Sequence, residues 1–210
     1  IQPEQLVVNL QGFDCTTFAE NCLALARTAK NKNPSFEIFK NELQLIRYRE
    51  GVIDGYPDRL HYFSDWIIEN DKKQIIKSVL NAACADELKK TINFMSQHPQ
   101  SYNPLKDNAV FLENIKEQEE HLSDSMLYYI PTEKINALSY LIKDGDILGI
   151  TTNIEGLDII HVGIAHYIAG ELHMIHASSK AGKVIVSDET LYEYLLQRKS
   201  ATGIMLARPL

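Results

Sequence analysis

Apolar residues change their spacing about two thirds of the way along the chain. Up to about residue 141 they recur every three or four positions, the period of an amphipathic helix; beyond residue 146 they alternate or run together, as strands do. The first helix is expected over 14–29, in Asp14-Cys15-Thr16-Thr17-Phe18-Ala19-Glu20-Asn21-Cys22-Leu23-Ala24-Leu25-Ala26, capped by Asp14 and burying Phe18, Cys22, Leu25 and Ala29. Cys15 then sits in its first turn. Ser35 is placed to cap a second helix with Phe36, Phe39, Leu43 and Ile46 as its stripe and Gly51 as its stop. Glycine, Pro57 and aspartate break the stretch from Gly51 to Arg59, and a third helix begins near Ser64. Helical spacing returns over 86–97 (Leu88, Ile92, Met95) and 107–122 (Val110, Phe111, Ile115), on either side of a loop around Pro99 and Pro104. Glu113, Glu117, Glu119 and Glu120 read as a solvated helix face, and a short helix is expected from about Thr132.

The turn Lys143-Asp144-Gly145-Asp146 launches the strands, expected over 146–152, 158–168, 171–178 and 183–187, then a helix over 189–198 and a last strand over 203–208. Helices followed by a largely antiparallel sheet make an α+β fold. The expected layout is a single domain over 1–210: a cysteine-bearing helix at 14–29, a helical insert at about 31–141 and a sheet at 146–208.

Composition narrows the partners. The chain has 210 residues, 45% of them hydrophobic and 23% charged, which excludes disorder, collagen-like repeats and coiled-coil rods. With 21 Lys and Arg against 28 Asp and Glu, the net charge of −7 and the lack of a basic run argue against nucleic acid or an anionic membrane as main partner. A small molecule or a neutral polymer fits better. No apolar run approaches the roughly 20 residues of a membrane span. The chain opens at Ile1 rather than methionine, so a removed secretory signal is an ordinary expectation. Cys15, Cys22 and Cys84 allow at most one disulfide and leave the redox compartment open.

The segment His161-Val162-Gly163-Ile164-Ala165-His166-Tyr167-Ile168-Ala169-Gly170-Glu171-Leu172-His173-Met174-Ile175-His176 reads as a hairpin turning at Ala169-Gly170. A two-residue turn places Ile168 opposite Glu171, His166 opposite His173 and His161 opposite Ser178, diagonal to His176. Alternation puts His161, Gly163, Ala165, Tyr167, Leu172, Met174, His176 and Ser178 on one face, and His166 and His173 on the other. The histidines split two and two, against a single four-histidine metal centre; a two-histidine site stays open.

Gly163 and Ala165 leave a shallow strip on the first face, and the Cys15 helix is the natural element to lie there. A thiol at a helix N-terminus is biased toward thiolate, and a nearby imidazole stabilises it further. His176 is placed to hold that imidazole's tautomer. Cys22 and Cys84 read as small buried hydrophobes, Cys22 lying about 10.5 Å along the helix from Cys15, beyond disulfide reach. His166 and His173 read as a structural pair.

Asp14-Cys15-Thr16-Thr17-Phe18 resembles the Asp-Cys-Ser-Gly-Phe motif of NlpC-like, papain-fold cysteine hydrolases of bacterial cell walls. Gly145-Asp146, His161-Val162-Gly163 and Ile175-His176-Ala177-Ser178 follow in that superfamily's order. Arg47-Tyr48-Arg49-Glu50-Gly51, Tyr56, Arg59, His61-Tyr62, Asp65-Trp66 and Gly156-Leu157-Asp158 are most similar to its N-acetylmuramoyl-L-alanine amidase branch, long known only as a domain of unknown function.

The resemblance implies a papain-like, NlpC-type fold with the cysteine helix packed on an antiparallel sheet. It implies Cys15 as nucleophile, His161 as general base and then acid, His176 as its orienter, and Arg59, His61, Tyr62, Asp65, Trp66 and Asp158 as substrate contacts. The implied reaction cuts the amide between (anhydro-)N-acetylmuramic acid and L-alanine of the stem peptide, the oxyanion bound in part by the Cys15 N–H. No metal or organic cofactor is implied; the partners are peptidoglycan fragments, the protein a monomer, and its location the periplasm or cell envelope. Two departures stand out. The superfamily's tyrosine ahead of the cysteine is absent, the chain offering Asn9, Gln11 and Phe13; and Thr17 replaces a common glycine, narrowing the approach to the nucleophile. The alternatives are an endopeptidase cutting after D-glutamate and a non-catalytic glycan-binding protein in which Cys15 is core.

Overall fold

Two helices, α1 (Cys15–Ala29) and α2 (Phe36–Arg47), open the chain, which a computed structural model describes over residues 3–210. Ile1, on which the expected leader turns, lies outside the described residues. The Asp14 carboxylate accepts from the Thr17 N–H at 2.7 Å while the Thr17 hydroxyl accepts from the Asp14 N–H at 3.0 Å, a reciprocal cap that fixes where α1 begins. The Ser35 hydroxyl accepts from the Ile38 N–H at 3.2 Å and starts α2. A buried ion pair, Arg47 to Glu20 at 2.7 Å, ties the two helices together.

That pair explains a misplaced face. The buried side of α1 runs through Phe18, Ala19, Glu20, Leu23, Ala24 and Thr28, while Leu25 is 48% exposed and Ala29 is also at the surface. Glu20 satisfied by Arg47, and the Thr28 hydroxyl donating to the Ala24 carbonyl at 2.7 Å, let polar residues occupy positions that apolar spacing assigned to solvent.

The next segment holds α3 (Phe63–Lys72), β1 (Ile76–Ser78), β2 (Asp86–Glu87), α4 (Phe94–Gln97), α5 (Asn103–Lys106), α6 (Ala109–Asp124), β3 (Tyr128–Pro131) and α7 (Ile135–Leu138). It is therefore not purely helical. Strands of two to four residues are too short to display alternation, and each pairs with a distant partner. The helix expected over 86–97 is confined to its last residues: the Leu88 N–H donates to the Leu127 carbonyl at 2.8 Å and Ile92 bridges Gly156. Glu119 is 2% exposed, not solvated like its neighbours, because its carboxylate accepts from the Tyr62 hydroxyl at 2.6 Å and the Ser96 N–H at 3.0 Å.

The C-terminal part supplies β4 (Ile147–Thr152), β5 (Ile159–Ile168), β6 (Glu171–Ser178), β7 (Lys183–Val186), α8 (Leu191–Leu196) and β8 (Ala201–Pro209). The sheet runs β2-β3-β8-β4-β5-β6-β7, with β1 also on β8, and every pairing is antiparallel. Ala169 and Gly170 take positive φ, 51° and 91°, as a tight two-residue hairpin turn demands, and the β5–β6 register pairs Ile168 with Glu171 and His166 with His173.

Helices cover both faces of the sheet. Ile147, Val162, Met205 and Ala207 pack with buried residues of α1, α2 and α3; Leu148, Ile150, Ala165, Met174, Ile204 and Leu206 pack with Leu191, Tyr194 and Leu195 of α8. Gly149 lets the insert reach the sheet, since a Cβ there would run into the Phe63 ring. The strip at Gly163 has a different use from the one expected: its missing Cβ makes room for Met174 of β6, and α1 packs on the opposite, Val162 side.

Candidate active site

β5 begins with a bulge. Ile150 pairs with His161 and Thr151 with Ile159, which leaves Ile160 as an extra residue, and a bulge bends the strand and re-aims the side chains beside it. His161 stands just past the bend. Its Nε2 lies 2.8 Å from Nδ1 of His176 on β6, the rings perpendicular at 87°. This is the diagonal pair that hairpin alternation predicts.

Two hollows meet at Cys15, Ile160 and His161. The outer, about 530 Å³, is lined by Gln11 to Asp14 and by Ser178, Ser179, Gly182 and Lys183; the inner, about 210 Å³, is walled by aromatic residues of the insert. Cys15 thus reaches the junction from the α1 side of the sheet and His161 from the other. No hydrogen bond joins thiol and imidazole among the described residues; unliganded sites often hold such pairs apart until substrate binds. Thr17 does not narrow the approach, because its hydroxyl turns back onto the Asp14 carboxylate at 2.8 Å and Thr16 lines the inner hollow instead.

Burial dominates the electrostatics. It pushes the Cys15 thiol up from its ordinary value, the Val162 N–H partly offsetting this and the Asp14 charge adding to it. It pushes His161 down to about 4, with His176 and Arg198 contributing further, and it lowers His176, where Arg198 adds and Glu189 opposes. Desolvation thus works against the thiolate bias expected of a helix N-terminus, and it favours the neutral forms of the thiol and both imidazoles. When His161 donates its Nε2–H to Nδ1 of His176, its Nδ1 is left as the base.

The insert residues fare differently. His61, Tyr62, Trp66 and Asp158 line the inner hollow; Arg59 and Asp65 stand outside it. Asp65 is 5% exposed and held by Arg49 at 2.6 Å. The Tyr62 hydroxyl donates to Glu119 and accepts from the Met95 N–H at 2.9 Å. Asp158 is buried and accepts from the Ser64 N–H at 2.8 Å, the Ser64 hydroxyl at 2.9 Å and the Ile159 N–H at 2.8 Å, which ties the start of β5 to the start of α3. Trp66 is core, stacked on Phe63 with centroids 5.5 Å apart. Nε2 of His61 lies 3.0 Å from the Tyr56 carbonyl, and burial pushes this histidine down to about 4. Arg59 is half-buried, its backbone bridged to Tyr48.

Of the other residues singled out, His166 meets Asp144 at 3.0 Å and His173 the Ser187 carbonyl at 3.0 Å. Cys22 and Cys84 are only half-buried. Sequence reasoning passed over Tyr102, which lines the inner hollow, and Tyr194, which packs on both histidines. The alternation that puts His161 and His176 on one face was the available signal for the second, but nothing showed that α8 covers that face. Among the described residues no three His, Cys, Asp or Glu side chains gather as a metal set, and the bond between His161 and His176 takes up one nitrogen of each ring. No described helix is long and apolar enough to cross a membrane.

The profile of the AmiA-like family, described as N-acetylmuramoyl-L-alanine amidase-like, matches residues 1–204. An N-acetylmuramoyl-L-alanine amidase from Bacteroides uniformis is 41% identical, with a TM-score of 0.94 over 99% of this chain and 89% of its own. A Bacteroides fragilis protein provisionally described as a xylanase is 42% identical, with a TM-score of 0.92 over 98% of this chain and 90% of its own. A Legionella pneumophila protein is 26% identical, with a TM-score of 0.71 over 96% of this chain and 77% of its own. No curated protein matches the chain.

Proposed function

This chain belongs to the N-acetylmuramoyl-L-alanine amidase-like family, and on that premise we propose that it is a cysteine amidase cutting the bond between (anhydro-)N-acetylmuramic acid and L-alanine of peptidoglycan stem peptides. The observation that carries the reading is the bonded His161–His176 pair beside Cys15 at the junction of two hollows. In this reading the junction holds the scissile amide, with sugar and peptide running into opposite hollows. His161 takes the thiol proton as Cys15 Sγ attacks the lactyl carbonyl; the oxyanion is met by the Cys15 N–H at the start of α1. The imidazolium, steadied by His176, gives its proton to the departing L-alanine amine, and water drawn in by His161 then hydrolyses the thioester.

A helix-borne cysteine, an antiparallel sheet and histidines on adjacent strands support placing the chain among papain-like, NlpC-type hydrolases as one catalytic domain. It would act as a monomer on muropeptides in the cell envelope and need no cofactor. A glycosidase reading, suggested by the Bacteroides fragilis relative, requires two free carboxylates flanking a sugar bond. The carboxylates that line the hollows, Asp14 and Asp158, are committed to capping α1 and to Ser64.

Mass spectrometry of an anhydro-muramyl tripeptide incubated with the protein, and with Cys15→Ala, tests the proposal. Free sugar and an intact peptide beginning with L-alanine, from the unmodified protein only, is the expected result. Cleavage within the peptide would make it an endopeptidase; no cleavage of this or larger muropeptides would leave a glycan-binding protein.

A further inference from the structure

Behind the two histidines, outside the residues that line the hollows, α8 supplies a third ring. Tyr194 is 4% exposed; its ring is close to parallel with His161 (21°, centroids 6.3 Å apart) and edge-on to His176 (79°, 5.5 Å). Because the imidazoles are themselves perpendicular, a side chain that packs on both fills the corner between them. Neither can then rotate freely about its χ angles, and the 2.8 Å bond between them keeps its geometry.

One helical turn on, Arg198 places its guanidinium carbon 3.2 Å from the centre of the Tyr194 ring, and its Nη1 donates to the Tyr194 carbonyl at 2.8 Å. No carboxylate lies within ion-pair distance of Arg198 among the described residues. A half-buried cation without a counter-ion is held by the aromatic face instead, through the attraction of a positive charge to the negative face of the ring.

We propose that Tyr194 and Arg198 are positioning residues for the His161–His176 pair, the tyrosine ring fixing both imidazoles and pinning the guanidinium behind them as a stationary positive charge. This rests on the reading of His161 as the base. The charge disfavours imidazolium. A less stable imidazolium is a stronger acid, and amide hydrolysis needs its proton delivered to the leaving amine before the carbon–nitrogen bond breaks. The proton moves from the Cys15 thiol to His161 Nδ1 and on to the amine nitrogen, while the sulfur–carbon bond forms and the carbon–nitrogen bond breaks. Other titratable groups around the pair are Cys15 and Asp14 from the α1 side, Lys183 across the outer hollow and Glu189 ahead of α8; Glu189 alone favours protonation of His176.

The test is imidazole NMR titration of His161 and His176 in the full chain, beside the pH profile of kcat/KM on the muropeptide. Arg198→Gln is expected to raise the imidazole midpoints by about one pH unit and move the acid limb of kcat/KM up with them. Tyr194→Leu is expected to do the same and to lower kcat about tenfold with little change in KM, and Tyr194→Phe, which keeps the ring, to restore the midpoints. Midpoints that stay at the wild-type value in Arg198→Gln, with activity following Tm alone, would overturn the proposal. Should Tyr194→Leu fail to fold, Arg198→Gln and Arg198→Lys carry the test. The titration needs no turnover: shifted midpoints without muropeptide cleavage would keep the positioning role and remove the substrate assignment, and cleavage with unmoved midpoints would do the reverse.

Discussion

The β5–β6 hairpin and the segment from Leu60 to Trp66 look alike as strings of letters, since both crowd histidine, tyrosine and other polar groups among apolar residues. In the fold they do opposite work. Most of the insert's polar atoms meet partners inside the protein: Asp65 meets Arg49, Tyr62 meets Glu119, His61 meets the Tyr56 carbonyl, and Ser64 meets Asp158, while the buried Trp66 Nε1 has no hydrogen-bond partner among the described residues. The hairpin's two inward histidines meet each other and leave an imidazole nitrogen beside the cysteine junction. A dense polar cluster at a helix start is used first for capping and packing; chemistry needs a polar atom with valence to spare.

The sharpest way to break that contrast is to remove the chemistry that the hairpin shares with Cys15 of α1. Cys15→Ala is expected to reduce muropeptide turnover to background and His161→Ala to lower kcat/KM about 10³-fold, each with Tm close to wild type in a thermal melt. Loss of folding in both would make the hairpin as structural as the insert. His176→Ala is expected to cost less, about 10²-fold, because it orients the base without touching the substrate. An equal loss in His161→Ala and His176→Ala would mean that the two rings share the proton.

The insert should show the inverse. Tyr62→Phe deletes a hydroxyl that bridges Glu119 and the Met95 N–H in the interior, and is expected to lower urea-derived stability by about 1–3 kcal/mol. Its kcat/KM should remain within a few-fold of wild type under folding conditions. A fall in kcat/KM well beyond the loss of folded protein would return Tyr62 to the substrate.

This contrast also marks what was legible. Strict alternation with a two-residue turn fixes register without reference to the rest of the fold, so the His166–His173 pairing and the His161–His176 diagonal were readable from local sequence. The capped start of α1 was readable for the same reason. What was not readable depends on partners far along the chain. Glu20 is interior because Arg47 is there, Glu119 because Tyr62 is, and β1 exists because β8 offers an edge. The face that α1 covers is not readable locally, because Gly163 signals a close neighbour without saying whether it is a helix or Met174. Recognition of the motif around Cys15 reached the junction, yet the motif carries no signal for the burial that raises the thiol above its ordinary value.

The smallest expected effect concerns acid. His61 and His161 are both pushed down to about 4, below the roughly 6.5 of an unfolded chain, so between those values the unfolded state binds more protons. The stability these histidines contribute is complete above pH 6.5 and is lost as pH falls toward 4. Glu20, Asp65 and Asp158 act with the opposite sign: burial raises each above the roughly 4 of an unfolded carboxylate, so each adds stability as pH falls from its raised folded value toward 4. The share of His61 is therefore read by difference: between pH 6.5 and 4 the wild-type Tm should fall relative to that of His61→Asn. If His61→Asn melts with the wild-type pH dependence, His61 titrates as a solvated group. Its ring would then be free to meet a ligand in the inner hollow, and one residue of the insert would cross to the chemical side of the comparison.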